Sequence, residues 1–264
     1  MKNIFKFLIA LILISTFSCT DSEVLYQPID FLFVGKYTQG LEGPAVDVKG
    51  NIYFVNPTHS GSIGIIDGEG KFDLFIEYLP KGSTANGIRF GDDQEMFLAD
   101  YTGHNVLRVD LKTKEVTVFA HDSLLNQPND LAICCNNRMY ASDPNWKNST
   151  GNIWKVENGV FELLEGNMGT TNGIEVSPDE KTLYVNESVQ RKVWAFDIDN
   201  LGNISNKKLF HQFEDFGMDG MRCDQNGNLY ITRHGKGTIV KLSPNGALLK
   251  EIKLKGKKTL FPSY

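Results

Sequence analysis

The sequence has few cysteines and no spacing typical of a zinc site. Three of its four cysteines follow position 20, and two of these are adjacent: Cys134, Cys135 and Cys223. An odd number that includes an adjacent pair is not a disulfide framework, even in an exported protein. Neither Cys-x-x-Cys nor His-x-x-x-His occurs, which excludes the common structural zinc motifs. The three cysteines are predicted to be small buried hydrophobic residues.

The sequence also lacks an excess of positive charge and a long hydrophobic run. Its formal net charge of −5 and isoelectric point near 5.6 argue against nucleic acid as a partner. The apolar run at residues 7–14 is shorter than the ~20 residues that a membrane-spanning helix needs. Because the positively charged Lys2 and Lys6 precede this apolar run, residues 1–18 are predicted to be a secretory signal peptide.

The stretch from Ser15 to Cys19 resembles a bacterial lipoprotein cleavage site, with Cys19 as the lipidated first residue. An ordinary signal peptide with an incidental cysteine is the alternative. Residues 19–29 are then a lipidated cysteine and short tether, and residues 30–264 the folded domain. We expect a bacterial lipoprotein, exported to the periplasm or cell surface. It should be a monomer that contacts the membrane only through the lipid at Cys19.

Helical periodicity is absent over any long stretch, whereas short alternating runs recur between turns. A tyrosine or phenylalanine in a strand-like run recurs with steps of 44, 43, 44 and 46 residues: Tyr53, Phe97, Tyr140, Tyr184 and Tyr230. A period of ~40–50 residues with four short strands per repeat is typical of a β-propeller. A solenoid would have shorter repeats or helices, and a sandwich would lack this regularity. The fold class is therefore predicted to be all-β, a β-propeller with five complete repeats.

One oxygen-bearing residue recurs eleven or twelve positions before each of these aromatic residues. This set is Glu42, Asn86, Asn129, Asn172 and Asp219. The first strand of each propeller blade lines the central channel, so the five side chains should form a ring around the axis. Crowded carboxylates and amides need a partner, and their oxygens suit Ca²⁺, Mg²⁺ or Mn²⁺. Capping of strand ends is the alternative, although turn chemistry does not require Glu42.

Four segments together resemble the family of the senescence marker protein (regucalcin), gluconolactonase and luciferin-regenerating enzyme. They are LEGPAVD, QPNDLAI, TNGIEVSPDEKTLYV and DGMRCDQNGNLYITRHGKGTI. The resemblance runs from about Leu41 to Leu254 and is closest to bacterial gluconolactonase-like proteins. It implies a six-bladed propeller with one divalent cation at the axis, and many members hydrolyse sugar lactones. Ca²⁺ is the first expectation, with Mg²⁺, Mn²⁺ or Zn²⁺ as alternatives.

The resemblance also implies roles for the ring residues. Glu42, Asn172 and Asp219 match metal ligands, and Asp219 also matches the acid proposed as proton acceptor. Asn129 matches an asparagine that contacts metal or substrate. Asn86 is assigned to substrate binding or only to the ring. Where some relatives carry arginine two residues before the substrate-contacting asparagine, this chain has Gln127, which leaves the substrate's identity open.

The implied reaction is water attack on a lactone carbonyl that the metal polarises. No Gly-x-Ser-x-Gly motif supports a serine nucleophile. Loops between the second and third strands of the blades supply further substrate-binding candidates: Tyr101, His104, Trp146 and His234. For each, a structural loop anchor is the alternative. His104 or His234 is a candidate proton shuttle.

A six-bladed relative would have a sixth aromatic residue near position 275, beyond Tyr264. Residues 30–34 resemble the strand that closes such a ring. We therefore expect a six-bladed type with a truncated sixth blade and low stability, or else closure with five blades. Two other functions stay open: a non-catalytic binding or scaffold lipoprotein with a structural ion, and a hydrolase of phosphoesters or other esters.

Overall fold

The computed structural model describes residues 26–28, 38, 40–91, 95–134 and 137–255. Within these ranges the chain forms five four-stranded antiparallel sheets, each built from four consecutive strands. Each sheet is one blade, and its strands are paired in chain order. The fold is therefore an all-β propeller, as the 44-residue spacing of the aromatic residues predicts.

The strands of the first three blades are as follows. Blade one contains β1 (Glu42–Val46), β2 (Ile52–Val55), β3 (Ile63–Ile66) and β4 (Phe72–Ile76). Blade two contains β5 (Ala85–Phe90), β6 (Glu95–Asp100), β7 (Asn105–Asp110) and β8 (Val116–His121). Blade three contains β9 (Leu131–Ile133), β10 (Met139–Asn145), β11 (Thr150–Glu157) and β12 (Val160–Met168), with a 3₁₀ turn at Trp146–Asn148.

The remaining two blades have the same plan. Blade four contains β13 (Thr171–Val176), β14 (Thr182–Glu187), β15 (Lys192–Ile198) and β16 (Ile204–Gln212). Blade five contains β17 (Met221–Cys223), β18 (Leu229–Arg233), β19 (Thr238–Leu242) and β20 (Leu248–Lys253). The first strands of neighbouring blades pack against each other in the order β1, β5, β9, β13, β17, so they surround a common axis.

The hydrophobic core is divided among the interfaces between neighbouring blades. Tyr53, Phe97, Tyr140 and Tyr184 are each at most 5% exposed, and each belongs to one of four core clusters. Tyr184, for example, packs with Met221 and Leu229 of blade five. Because each blade needs an aromatic residue to fill the wedge against its neighbour, the same residue type recurs once per repeat.

The flanks of blades one and five are the exception. Val46 of β1 is 60% exposed, and Tyr230 of β18 is half-buried although it is the fifth member of the aromatic series. The first strands β17 and β1 pack less extensively than the other neighbouring pairs. Blades one and five therefore pack against each other less closely than the other neighbouring blades in the described part of the chain.

The predicted truncated sixth blade is not found among the described residues, so the expectation of a six-bladed type needs correction. Strand β20 is the fourth strand of blade five, and each described strand belongs to one of five sheets. The expectation relied on the blade number of the family and on residues 30–34. Those residues lie outside the described ranges.

Two further predictions concern cysteines and the N-terminus. Cys134 is buried and Cys223 is half-buried against the blade-five core, while Cys135 lies outside the described residues. The signal segment and Cys19 also lie outside them. No helix among the described residues is long and apolar enough to cross a membrane.

Candidate metal centre

The five recurring oxygen-bearing residues meet at one cavity of about 210 Å³ on the propeller axis. We call them the axial ring: Glu42, Asn86, Asn129, Asn172 and Asp219. The other polar or charged residues of this axial cavity include Asp130, Arg222, Tyr230 and Thr232. One ring residue comes from each blade, so the repeat in the sequence becomes a convergent site in space.

Irregular strand pairing directs the ring side chains toward the axis. In three blades the register between the first two strands shifts at the ring residue, between Glu42 and Ala45, Ala85 and Ile88, and Thr171 and Ile174. Such a β-bulge turns a side chain away from the alternation of a regular strand. In blades three and five the ring residue instead lies just before the first strand. Its backbone amide donates to a backbone carbonyl of the next strand or its flank, Asn129 to Ser142 and Asp219 to Thr232, both at 2.9 Å.

Glycine after the ring residue allows the first strands to approach closely. A Cβ on Gly43 would lie 2.2 Å from the carbonyl oxygen of Asn86, and Gly43 has a φ of +51°. A Cβ on Gly173 would lie 2.3 Å from the carbonyl oxygen of Asp219. The Glu-Gly and Asn-Gly pairs of the sequence are therefore required by close backbone contact around the axis, not by hairpin turns.

The two ring carboxyls are buried. Glu42 is 4% exposed and Asp219 is 7% exposed. Burial raises the pKa of Glu42 well above its usual range, and the nearby Asp219 raises it further. Burial also raises the pKa of Asp219, with Asp130 as the next cause. Two ionised carboxyls at this place are therefore unfavourable unless a cation lies beside them.

Two oxygens of the axial ring are buried without a hydrogen-bond partner among the described residues. They are Oε2 of Glu42 and Oδ1 of Asn172. Two of the three side-chain amide nitrogens of the ring donate to backbone carbonyls: Asn172 Nδ2 to that of Met218 at 3.4 Å and Asn86 Nδ2 to that of Asn129 at 3.1 Å. These bonds turn the amide nitrogens toward the backbone and leave the oxygens for another partner. Buried acceptors of this kind are costly unless a donor or cation satisfies them.

A group of four charged residues, which we call the charge network, lies beside the ring. It consists of Arg89, Asp130, Glu175 and Arg222. Its two arginines are paired with its two carboxylates, at distances from 3.0 to 3.9 Å. No cation of the network is therefore left to neutralise Glu42 and Asp219. The axial region has an excess of two negative charges, which one divalent cation would neutralise.

These observations fit a hard cation held by carboxylate and amide oxygens. Among the described residues there is no cluster of three or more His, Cys, Asp or Glu side chains arranged for a metal. The ring instead has two carboxylates and three amides. That donor set suits Ca²⁺, Mg²⁺ or Mn²⁺ better than Zn²⁺, which prefers nitrogen and sulfur.

Side chains that follow or belong to the second strand of blade four hydrogen-bond to the backbone at and before Asp219. The side-chain amide of Asn186, which is fully buried, donates to the carbonyl of Asp219 at 2.6 Å. Ser188 donates from its hydroxyl to the carbonyl of Met218 at 2.5 Å. The spacing of Asn186 from Asn172 within one repeat does not reveal this contact, because the contact crosses to the next blade.

A buried carboxylate in blade three fixes the segment before Asn129. Asp143 is fully buried and accepts hydrogen bonds from the backbone amides of Asn126 and Gln127, both at 2.7 Å, and from Trp154 Nε1 at 3.0 Å. Asp143 is therefore an anchor for the chain segment that enters the ring.

The four loop residues predicted to bind substrate lie between the second and third strands of their blades, as expected: Tyr101, His104, Trp146 and His234. Within the described part of the chain, these residues do not line the axial cavity. Trp146 lines a separate cavity of about 380 Å³ together with Gln127 and Lys147. Burial lowers the pKa of His234. Their roles in substrate binding stay predictions.

A family model described as the SMP-30/gluconolactonase/LRE-like region matches residues 42–262. The chain belongs to this family. Gluconolactonase of Zymomonas mobilis is 27% identical over 190 residues, covering 62% of this chain and 53% of that protein. Regucalcin of Sus scrofa is 34% identical over 93 residues, covering 34% of this chain and 31% of that protein. The chain thus spans about half the length of the first relative and about a third of the second.

Solved structures of the family have the same fold. A calcium-binding protein, regucalcin, from Agrobacterium tumefaciens superimposes with a TM-score of 0.74 at 21% identity, covering 86% of this chain and 78% of that one. A gluconolactonase from Xanthomonas campestris superimposes with a TM-score of 0.71 at 21% identity, covering 83% and 78%. At this identity the likeness establishes the propeller fold alone.

Proposed function

We propose that this protein is a metal-dependent hydrolase that opens sugar lactones. The observation that carries the proposal is the axial ring: two buried carboxylates and three amides meet at one cavity with an excess of two negative charges. Membership of the family supports lactones as the substrate class, since relatives of this chain are named gluconolactonase.

Glu42, Asn172 and Asp219 are the proposed ligands, with Asn129 as a further contact to metal or substrate. The unsatisfied oxygens of Glu42 and Asn172 support this assignment. Ca²⁺ is the first candidate because both the donor set and the calcium-binding relative favour it. A divalent cation bound there would polarise the lactone carbonyl and make nearby water easier to deprotonate.

The chain's own residues supply the remaining steps. Asp219 accepts a proton from the water as its oxygen attacks the carbonyl carbon. The ring C–O bond of the lactone then breaks, and the same proton passes to the leaving alkoxide oxygen, which gives the open hydroxy acid. Asn86 and Asn129 orient the substrate from the neighbouring blades, where their side chains line the same cavity. Asn186 holds the backbone of Asp219 throughout.

The test is hydrolysis of glucono-δ-lactone by the mature chain, followed by proton release, before and after treatment with a chelator. We expect activity that the chelator abolishes and that Ca²⁺, Mg²⁺ or Mn²⁺ restores. Activity that is unchanged after verified metal removal would contradict the metal-dependent mechanism. Metal binding without hydrolysis of any lactone or ester would instead support a non-catalytic propeller.

Export and lipidation are a separate proposal that rests on the sequence of residues 1–19. The mature protein would carry its lipid at Cys19 and present the propeller outside the cytoplasm as a monomer. Mass spectrometry of the protein from membrane fractions tests this, with Cys19→Ser as the control. A soluble mature chain whose Cys19 lacks lipid would contradict the anchor.

A further inference from the structure

Asp130 is a third acidic residue at the axial cavity, next to the ring. It follows Asn129 directly, it is buried, and it lines the same cavity as Glu42 and Asp219. Its charge raises the pKa of both ring carboxyls, which shows that it acts on the same region of space. By position and charge, Asp130 is available as a further anionic group for a cation in the ring.

Arg89 of blade two engages this carboxylate at both oxygens. Nη1 of Arg89 lies 3.0 Å from Oδ1 of Asp130, and Nη2 lies 3.2 Å from Oδ2. The two side chains are 10% and 9% exposed. A two-pronged contact of this kind is the strongest geometry that an arginine and a carboxylate form.

The position of Arg89 is itself fixed by contacts with blade four. Its Nη2 donates to the carbonyl of Ile174 in blade four at 3.1 Å and approaches Glu175 Oε2 at 3.4 Å. Arg222 contributes less to holding Asp130, because its Nη1 lies 3.5 Å from Oδ2 and its side chain is 42% exposed. Arg89 is thus the residue that neutralises Asp130.

We propose that Arg89 sets the charge of the cation that the axial ring accepts, by neutralising Asp130 and limiting the uncompensated charge to two. This inference rests on the metal site of the proposed function, though not on its catalysis. Without Arg89 the axial region, with its four carboxyls ionised and only Arg222 left to pair with them, would have an excess of three negative charges. Because Coulomb attraction scales with ionic charge, the extra negative charge favours a trivalent ion over a divalent one. Arg89 is therefore a positioning and selectivity residue that does not touch the ion.

The experiment measures the dissociation constants of Tb³⁺ and Ca²⁺ alone, without substrate, by titration calorimetry and competition. For Arg89→Met we expect the preference for Tb³⁺ over Ca²⁺ to rise by about tenfold or more. The double variant Arg89→Met/Asp130→Asn restores the charge of the wild type, so its preference should return to within about threefold of the wild-type value. The matched control is Arg108→Met, which removes an exposed arginine paired with Glu95 on blade two.

Asp130→Asn alone provides a second test if Arg89→Met does not fold. It keeps the shape of the side chain and removes one negative charge from the axial region, so the preference for Tb³⁺ should fall below that of the wild type. An unchanged preference in a folded Arg89→Met or Asp130→Asn variant, or the same change in Arg108→Met, overturns the inference. If that happens while the wild type binds Ca²⁺ and hydrolyses lactones, the proposed function stands. Wild-type protein that binds neither ion overturns both.

Discussion

The side-chain amide of Asn186 in blade four donates a 2.6 Å hydrogen bond to the main-chain carbonyl of Asp219 in blade five. Both groups are buried, and the contact joins two consecutive blades at the axial ring. The ring geometry in blade five thus depends on a side chain from the blade before it. A hydrogen bond of this kind is worth more when its loss leaves a buried carbonyl without a partner.

Replacing Asn186 by alanine should therefore weaken the site without touching the cavity. We expect a loss of about 1–3 kcal/mol in the free energy of unfolding, because the buried carbonyl of Asp219 loses its donor. Ca²⁺ affinity should fall with it. Urea unfolding with and without Ca²⁺ measures both effects. The exposed Asn226→Ala is the control, and equal effects of the two changes would argue against the positioning role.

Asp219 has two proposed roles that a pair of substitutions separates. Asp219→Asn keeps an oxygen for the cation but removes the proton acceptor, so kcat should fall by about 100-fold or more while Ca²⁺ still binds. Asp219→Ala removes both groups and should abolish activity and weaken Ca²⁺ binding. Lactone hydrolysis and calorimetry measure the two effects. Asp219→Asn with near wild-type kcat would contradict the role as proton acceptor, whereas Asp73→Asn, at an exposed position of strand β4, should change nothing.

Glu42 should destabilise the protein when no metal is bound, although it is a proposed ligand of the bound cation. In the absence of a cation, its buried carboxyl lies near Asp219 with an unsatisfied oxygen. We expect Glu42→Gln to be at least as stable as the wild type in chelator, since a neutral amide replaces a buried ionisable carboxyl that lies near Asp219. The wild type should gain about 2.7 kcal/mol at a Ca²⁺ concentration 100 times its Kd, and the variant should gain much less. Thermal melts in chelator and in Ca²⁺ give the comparison; equal gains would exclude Glu42 as a ligand.

A pH dependence is expected from the turn after β17. Burial alone would raise the pKa of Asp224, but hydrogen bonds from the side chain and backbone of Asn228 and from Lys241 outweigh it and lower this pKa to about 2. A lowered folded-state pKa stabilises the protein above the ordinary value of 3.8, and the stabilisation is lost as the pH falls toward 2. Asp224→Asn should therefore lower the Tm more at pH 7 than at pH 3. An equal loss at both pH values would contradict the assignment.

The ring was predictable because a propeller repeats its chemistry in register. Each of the five blades places one oxygen-bearing residue eleven or twelve positions before an aromatic residue, so the spacing of Glu42, Asn172 and Asp219 in the chain predicts their meeting in space. The pattern within one repeat is enough for this prediction, since each repeat must bury the same kind of hydrophobic face against the next blade. The propeller class and the members of the ring follow from the sequence.

The contacts between blades were not predictable in the same way. Asn186 belongs to blade four but holds blade five, and Arg89 of blade two reaches a carbonyl in blade four, 85 residues along the chain. Arg89 does not have a counterpart of its type in every repeat, and the position of Asn186 within its repeat does not show which blade its side chain contacts. The predicted blade number also came from the family and not from the residues themselves, and the described structure has five blades.

By itself, the order of amino acids determined that the chain forms blades and that one oxygen donor per blade faces the axis. The tertiary structure decided which charges near that axis remain unpaired. Ion pairs and buried carbonyls are satisfied by side chains from other blades, and their partners depend on how the blades are arranged around the axis. A repeat pattern does not contain that information, because charge neutralisation depends on distance in space.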